Sequence, residues 1–138
     1  MPEKKYCIFC KIVEGKLPYH KVYEDRDFLA FLDNRPLNPG HTLVIPKKHY
    51  KWVWDVPNID KYFKAVQKIA NGIKKAMGTE KVVSIIFGET VQHAHVWLLP
   101  KLPDDGHPFG WLDIKNVKNI SDAEMDEIAR KISSAIEA

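Results

Sequence analysis

The sequence is short of cysteine, of long apolar runs and of excess charge, and each shortage argues against a class of protein. Two cysteines in 138 residues are too few for a disulfide-rich secreted scaffold. No apolar stretch reaches the length of a membrane span, and residues 1–5 lead into no signal-peptide-like segment. The net charge is only +3 and the lysines are scattered, unlike a nucleic-acid-binding patch. We therefore expect a cytoplasmic protein that binds neither nucleic acid nor a membrane.

The sequence has the composition of one globular domain. It is 45% hydrophobic and 28% charged, without internal repeats or low-complexity tracts. A chain of this length can bury one core and is too short for two ordinary domains. We expect a single domain over residues 1–138.

Apolar spacing predicts about five strands around one long helix. The predicted strands cover residues 21–24, 28–32, 41–45, 82–87 and 93–99. Helical segments are predicted over residues 7–14 and 58–77 and after Ser121. Asn58 and Gly78 are the expected caps of the long helix, and Ser121 with Glu124 forms a capping box. The fold class is α+β.

His93 and His95 are two positions apart in the last predicted strand. Side chains alternate between the faces of a strand, so both rings should lie on one face, together with Trp97. A single histidine in a strand is more often simply half-buried. Neighbouring imidazoles, however, disfavour double protonation, so one should remain neutral and able to act as a ligand or a nucleophile.

Cys7 and Cys10 form a C-x-x-C motif that has three interpretations: a reduced pair, a redox pair or half of a metal site. A thioredoxin-like pair needs a preceding strand, and only six residues precede Cys7. A metal site needs two further ligands, which spacing alone does not select from the histidines. His20, His41 and His107 lie at strand starts or in loops, and we expect them at the surface.

Several linked segments resemble the histidine-triad (HIT) family in their order and spacing. They are residues 7–15, 22–25, 31–33, 39–49 and 88–100. The resemblance covers most of the chain before residue 102 and little after it. It implies a HIT-like antiparallel sheet with one long helix packed on it and a C-terminal helix. It also implies a homodimer paired through the long helix and a sheet edge, with Lys64, Lys68 and Lys75 on the outer face of that helix.

The resemblance implies a nucleotide as the small-molecule partner and His95 as the catalytic residue. His95 matches the family's middle histidine, which attacks the α-phosphorus of a nucleotide and becomes transiently nucleotidylated. Thr90 matches a donor near the leaving group, and Asp33 matches the acid that binds ribose. The implied nucleotide-binding residues are Asp33, Asn34, Gly88, Thr90 and Trp97. Asp33 and Thr90 are also residue types that simply close turns.

Two departures from the family pattern concern catalysis. Trp97 replaces the third histidine, and an indole has one donor, no acceptor and no titratable group. It could narrow or cover the phosphate pocket. Related galactose-1-phosphate uridylyltransferases have glutamine there and remain active. The loop before Gly88, which touches ribose and phosphate in the family, is shortened here.

Zinc-bearing members of the family, like the uridylyltransferases, take metal ligands from positions that correspond to Cys7, Cys10, His49 and His93. The resemblance therefore implies one zinc ion with four protein ligands and no open position, which gives it a structural role. It would fasten the N-terminal turn to the sheet. The alternative is an unmetallated cysteine pair.

Three functions follow as hypotheses. The first is a hydrolase or nucleotidyltransferase that cleaves a nucleoside phosphoramidate or a dinucleoside polyphosphate through a nucleotidyl-His95 intermediate. The second is a non-catalytic, zinc-stapled binding protein in which Trp97 stacks on a base or a partner. The third is a redox protein built on Cys7 and Cys10. The loop over residues 106–111 is expected to reach over the pocket.

Overall fold

The computed structural model describes residues 7–108 and 112–137. Its helices are α1 (Ile8–Val13), α2 (Ile59–Met77) and α3 (Asp122–Glu137). Its strands are β1 (Lys21–Glu24), β2 (Phe28–Leu32), β3 (Thr42–Pro46), β4 (Val82–Ile85) and β5 (Val96–Pro100), and a 3-10 turn covers Val53–Asp55. The predicted α+β class is confirmed. Over these residues, no helix combines the length and the apolar character needed to cross a membrane.

The five strands form one sheet in the order β1-β2-β3-β5-β4. Every neighbouring pair is antiparallel, as the HIT resemblance implies. Strands β1 and β2 are a hairpin, whereas β5 lies between β3 and β4 and therefore brings distant parts of the chain together. Strand β4 is an edge strand.

The two faces of the sheet bury different helices. Helices α2 and α3 pack on one face, where the Tyr62 hydroxyl donates a hydrogen bond of 2.6 Å to the carbonyl oxygen of Val44. The two helices approach closely at Gly72, where a Cβ atom would clash with the side chain of Ile136. Helix α1 packs on the opposite face, against alternate residues of β2 and β3 and against Trp97 of β5. Successive side chains of β2, β3 and β5 therefore point alternately to the face covered by α2 and α3 and to the face that carries α1 and the site.

The predicted helix ends are partly confirmed. Gly78 ends α2 in the left-handed conformation at φ 66°. Ser121 Oγ accepts the backbone N–H of Glu124 at 3.2 Å and so caps α3. Asn58 occupies the N-cap of α2, as predicted, although its side chain makes no capping hydrogen bond. The three predicted lysines of α2 are exposed.

Three of the predicted strands have boundaries that are wrong by one to three residues. Strand β5 begins at Val96 and not at residue 93, because the backbone N–H of Ala94 donates to Tyr50 at 2.7 Å instead of joining the ladder. Strand β4 ends at Ile85, which pairs with Trp97 near the start of β5. Strand β3 is shifted by one residue, to Thr42–Pro46. His93 and His95 therefore lie just before a strand and not within it.

Candidate functional site

A cleft of about 760 Å³ opens on the face of the sheet that carries α1. Its apolar wall includes Ile8, Phe9 and Ile12 of α1, which pack over β2 and β3. The cleft also brings together most of the residues that the sequence assigned to a nucleotide and its chemistry. These are Asp33, Asn34, Thr90, His95 and Trp97.

His95 is held in one tautomer by the backbone. Its Nδ1 lies 2.7 Å from the carbonyl oxygen of His93. A carbonyl only accepts, so Nδ1 must donate, and in the neutral ring Nε2 then carries the free lone pair. The ring is buried at the bottom of the cleft. Burial lowers the pKa of His95, while the bond to His93 and the charge of Asp33 act in the opposite direction.

The rings of His93 and His95 lie on the same side of the sheet, as predicted. Phe9 makes edge contacts with both, at centroid distances of 5.9 Å to His93 and 5.2 Å to His95. Ala94, between them, belongs to the core on the opposite face. The side-chain alternation therefore persists where the strand pairing does not.

Asp33 lies beside the cleft, in the turn that follows β2. Its Oδ1 accepts the backbone N–H of Arg35 at 2.9 Å, so it closes a local turn. Its Oδ2 lies 3.6 Å from Nε2 of His41. Burial raises the pKa of Asp33, although the Arg35 N–H and the nearby His95 lower it. Closing a turn uses only one oxygen and leaves Asp33 able to bind a ligand.

Trp97 occupies the place of the third histidine and packs between two other rings. Its centroid lies 4.8 Å from that of His41 and 5.3 Å from that of Phe87. The indole is half-buried and borders the cleft. It therefore narrows the cleft beside His95 and covers His41 at the same time.

The remaining nucleotide-site residues are placed differently from one another. Thr90 is exposed at the cleft, and Asn34 is exposed at its border. Gly88 is buried against Trp52, with φ at 83°, and does not line the cleft. A Cβ atom at Gly88 would clash with the Trp52 ring, so only glycine fits this close contact. The binding roles of these residues remain predictions.

Cys7, Cys10, His49 and His93 form one cluster, with all four ligand atoms within 4.8 Å of one another. His93 Nδ1 lies 3.3 Å from the Cys7 sulfur and 3.4 Å from the Cys10 sulfur, and His49 Nδ1 lies 3.2 Å from the Cys10 sulfur. In a tetrahedral zinc site a sulfur and a nitrogen ligand are separated by about 3.5 Å. The donor set and its spacing therefore fit zinc.

The ring of His93 is oriented by a contact behind the cluster. Its Nε2 donates to the carbonyl oxygen of Pro46 at 2.8 Å, so Nδ1 presents its lone pair to the two sulfurs. Cys7 also caps α1, because its sulfur accepts the backbone N–H of Cys10 at 3.3 Å. The cluster thus joins the start of α1, the end of β3 and the segment that carries His95.

Two histidines expected at the surface are buried, so that expectation was wrong for His41 and His107. Both bind the peptide groups of Leu37: His41 Nδ1 accepts the Leu37 N–H at 3.1 Å, and His107 Nε2 donates to the Leu37 carbonyl at 2.8 Å. His41 alternates with Leu43 and Ile45, which was the available sequence signal for burial. His20 is partly exposed and bonds to Asp126 at 2.6 Å.

Of the loop expected over the pocket, residues 109–111 lie outside the described residues. The segment that follows does border the cleft, through Ile114 and Val117. Asp122 and Asp126 of α3 border it as well. The C-terminal part of the chain, which carries little of the resemblance, therefore contributes one side of the cleft.

The HIT domain family matches residues 14–104 of the chain. The protein belongs to the HIT family. An uncharacterised HIT-like protein of Methanocaldococcus jannaschii is 37% identical to it over 133 residues, which cover 91% of this chain and 98% of the relative. An adenosine 5'-monophosphoramidase of Schizosaccharomyces pombe is 34% identical over 136 residues, which cover 94% and 98%.

Solved HIT structures share the architecture. A zinc-bound histidine triad protein from Mycobacterium smegmatis superimposes with a TM-score of 0.77 at 30% identity, over 97% of this chain and 95% of that one. The superposition extends well beyond residues 14–104. That residues 1–138 form a single HIT-like domain nonetheless remains a prediction.

The free energy of unfolding should fall between about pH 6.5 and pH 4 because His41 is buried as a neutral ring. Burial, with a smaller effect of His107, lowers the pKa of His41 from 6.5 to about 4. The unfolded chain then binds one more proton than the folded protein in this interval, so stability is lost as the pH falls. The full effect of one ring is at most about 3 kcal/mol.

Urea unfolding of His41→Asn and the unmutated protein at pH 7, 6, 5 and 4 checks this prediction. Asp33 and His107 face the ring in both proteins, so the comparison isolates His41. The free energy of unfolding should fall less steeply with falling pH in the variant. The difference between the two slopes should correspond to at most one proton bound on unfolding. Identical slopes would contradict the prediction.

Proposed function

We propose that this HIT protein binds a nucleotide and acts as a hydrolase or transferase that cleaves a nucleoside phosphoramidate through a nucleotidyl-His95 intermediate. The observation that carries the proposal is the 2.7 Å bond from His95 Nδ1 to the His93 carbonyl. It leaves Nε2 with a lone pair on a ring that lines the cleft. A neutral imidazole with a fixed tautomer is a competent nucleophile near neutral pH.

The reaction needs two displacements at phosphorus. In the first, His95 Nε2 forms a bond to the α-phosphorus while the bond to the leaving nitrogen breaks, and that nitrogen takes up a proton as it departs. Thr90, whose side chain reaches the same cleft, is the proposed donor to the leaving group. In the second, water or another hydroxyl group attacks phosphorus and the bond to His95 breaks. The attacking oxygen releases one proton to solvent, which balances the proton taken up by the leaving nitrogen.

The charges around the cleft favour a phosphoramidate over a dinucleoside polyphosphate. The carboxylates of Asp33, Asp122 and Asp126 border it, whereas Arg35 is its one permanently cationic lining residue within the described chain. A chain of several phosphates would bring more negative charge than one guanidinium balances. A single phosphate with an amine leaving group suits this balance, and the name of the S. pombe relative points to the same substrate class.

Trp97 supports one rival, a nucleotide-binding protein without catalysis. The indole narrows the cleft where the family has its third histidine, and it offers no group that can accept a proton. It could instead stack on a base. Tight nucleotide binding without turnover would favour this rival.

We also propose that Cys7, Cys10, His49 and His93 bind one structural zinc ion. The sulfur-to-nitrogen distances of 3.2–3.4 Å and the oriented His93 ring support it, as does the zinc-bound M. smegmatis neighbour. The ion would cross-link α1 to the sheet and, with four protein ligands, leave no position for substrate or water. His95 then acts without direct help from the metal.

His95→Gln should abolish turnover of adenosine phosphoramidate and leave AMP binding within a few fold, because glutamine keeps an amide donor but cannot form a stable bond to phosphorus. AMP release measured by chromatography, with calorimetry for binding, separates the two effects. Acid quenching of the unmutated protein should also trap an added nucleotidyl group in its intact mass. His20→Asn, a matched change at the cleft's outer end, should retain activity.

Full turnover by His95→Gln would refute the assignment of the nucleophile. Faster release from a dinucleoside polyphosphate than from the phosphoramidate would refute the substrate class. An unmutated protein that binds AMP but releases none from either substrate would support the non-catalytic rival.

Cys10→Ser should remove the zinc, because the hydroxyl is a much weaker zinc ligand than a thiolate. Since metal binding contributes to folding free energy, the melting temperature should also fall, by about 5 °C or more. Metal analysis of protein purified under reducing conditions, with thermal unfolding, measures both. His20→Asn, which changes a histidine outside the cluster, should keep one zinc per chain. Equal zinc contents in the unmutated protein and Cys10→Ser would contradict the proposal, and a reversible disulfide without metal would favour a redox role.

We further propose a homodimer formed through β4 and the long helix α2. Strand β4 is an edge, and an apolar groove of about 1050 Å³ beside it includes Val83, Ile85 and the exposed Phe87. An unpaired edge with apolar flanks favours pairing with a second copy. A charge at this edge, Val83→Lys, should therefore shift the protein toward monomer in sedimentation velocity. Ser134→Lys, which adds the same charge on α3, should not; a monomeric unmutated protein would refute the dimer.

A further inference from the structure

His41 is a buried imidazole with one unused donor. It is 1% exposed, and its Nδ1 accepts the N–H of Leu37 at 3.1 Å. In the neutral ring the proton therefore lies on Nε2. Among the described residues, Nε2 has no hydrogen-bond partner. A buried N–H without an acceptor is destabilising, so the acceptor nearest to it matters.

The nearest carboxylate belongs to Asp33. Its Oδ2 lies 3.6 Å from His41 Nε2, a few tenths of an ångström beyond a hydrogen bond. Its Oδ1 is fixed by the N–H of Arg35 at 2.9 Å. One oxygen of the carboxylate is thus fixed by a backbone N–H, and the other faces the imidazole of His41. Each oxygen keeps a further lone pair for a ligand in the cleft.

Trp97 keeps competitors away from this donor. The indole lies edge-on against His41, with centroids 4.8 Å apart. Its own N–H cannot accept a hydrogen bond, and its bulk covers the imidazole on the cleft side. Asp33 is the carboxylate that lies closest to Nε2 among the described residues.

We propose that His41 is a positioning residue for nucleotide recognition, whose Nε2–H directs the Asp33 carboxylate to accept hydrogen bonds from the ribose hydroxyls. The inference rests on the proposed nucleotide-binding function and adds a residue that does not itself touch the ligand. The presence of Trp97 in place of the third histidine then has a further consequence, because the indole packs against the ring whose N–H orients Asp33.

The test compares AMP with 2',3'-dideoxy-AMP, which lacks both hydroxyls, by calorimetry. His41→Asn keeps an acceptor for the Leu37 N–H but loses the distal donor, so the preference for AMP should fall about tenfold, the effect of one charge-assisted hydrogen bond. Binding of the dideoxy nucleotide should hardly change. His41→Gln, whose amide nitrogen reaches further, should retain most of the preference.

The second arm repeats the measurement in Asp33→Asn. If His41 acts through the Asp33 carboxylate, His41→Asn should cause no further loss of the preference for AMP in that background. Equal weakening of both nucleotides by His41→Asn would make its role merely structural and overturn the inference. The inference would also be overturned if His41→Asn reduced the preference for AMP equally in the unmutated protein and in Asp33→Asn.

A third readout does not need a nucleotide. If the unmutated protein binds neither ligand, the proposed function fails, and nitrogen-15 NMR of the histidine rings decides this inference separately. The Nε2–H resonance of His41 should shift in Asp33→Asn and stay in place in His20→Asn. An unchanged resonance in Asp33→Asn would overturn the inference.

Discussion

His93 makes polar contacts in three directions, and the geometry of the site depends on them. Its Nδ1 faces the sulfurs of Cys7 and Cys10, its Nε2 donates to the Pro46 carbonyl, and its own carbonyl accepts from His95. The first contact positions α1, the second fixes the end of β3, and the third sets the tautomer of the proposed nucleophile. A change in the ring of His93 therefore removes the contacts to the sulfurs and to Pro46 directly and affects His95 only through the backbone.

This arrangement would let the proposed zinc ion, which has no open position, affect the proposed reaction without taking part in it. Helix α1 is only six residues long, too short to be stable without tertiary contacts. Its N-cap is Cys7, while Ile8 and Phe9 form part of the cleft wall. The helix and its N-cap thus carry two residues of the cluster and three of the cleft wall, so the proposed cross-link and the apolar wall form or are lost together.

The fold was largely predictable because its signals are local. Alternating apolar residues marked the strands, helical spacing marked α2 and α3, and a spacing of two placed His93 and His95 on one side. The errors have a common cause in long-range contacts. Strand β5 starts late because Ala94 bonds to Tyr50, 44 residues earlier in the chain.

The cluster and the buried histidines were less predictable for the same reason. Spacing could not select His49 and His93 as partners of the cysteines; only the family resemblance did. His107 is buried because it binds Leu37, which no local pattern around residue 107 indicates. Functional residues on connecting segments are positioned by contacts that neither periodicity nor composition records.

Trp97 changes which groups can handle protons at the proposed reacting phosphate. An imidazole at this place could donate or accept near neutral pH, whereas an indole only donates. Trp97 packs against His41 and Phe87, so an indole borders the cleft at the place of the third histidine. Proton transfer to a leaving group must then come from Thr90 or from solvent entering the open side of the cleft. The nitrogen of a phosphoramidate must be protonated as the P–N bond breaks, because an amide anion is a far poorer leaving group than a phosphate. Loss of the third histidine therefore makes the proposed reaction depend on how well Thr90 or solvent supplies that proton.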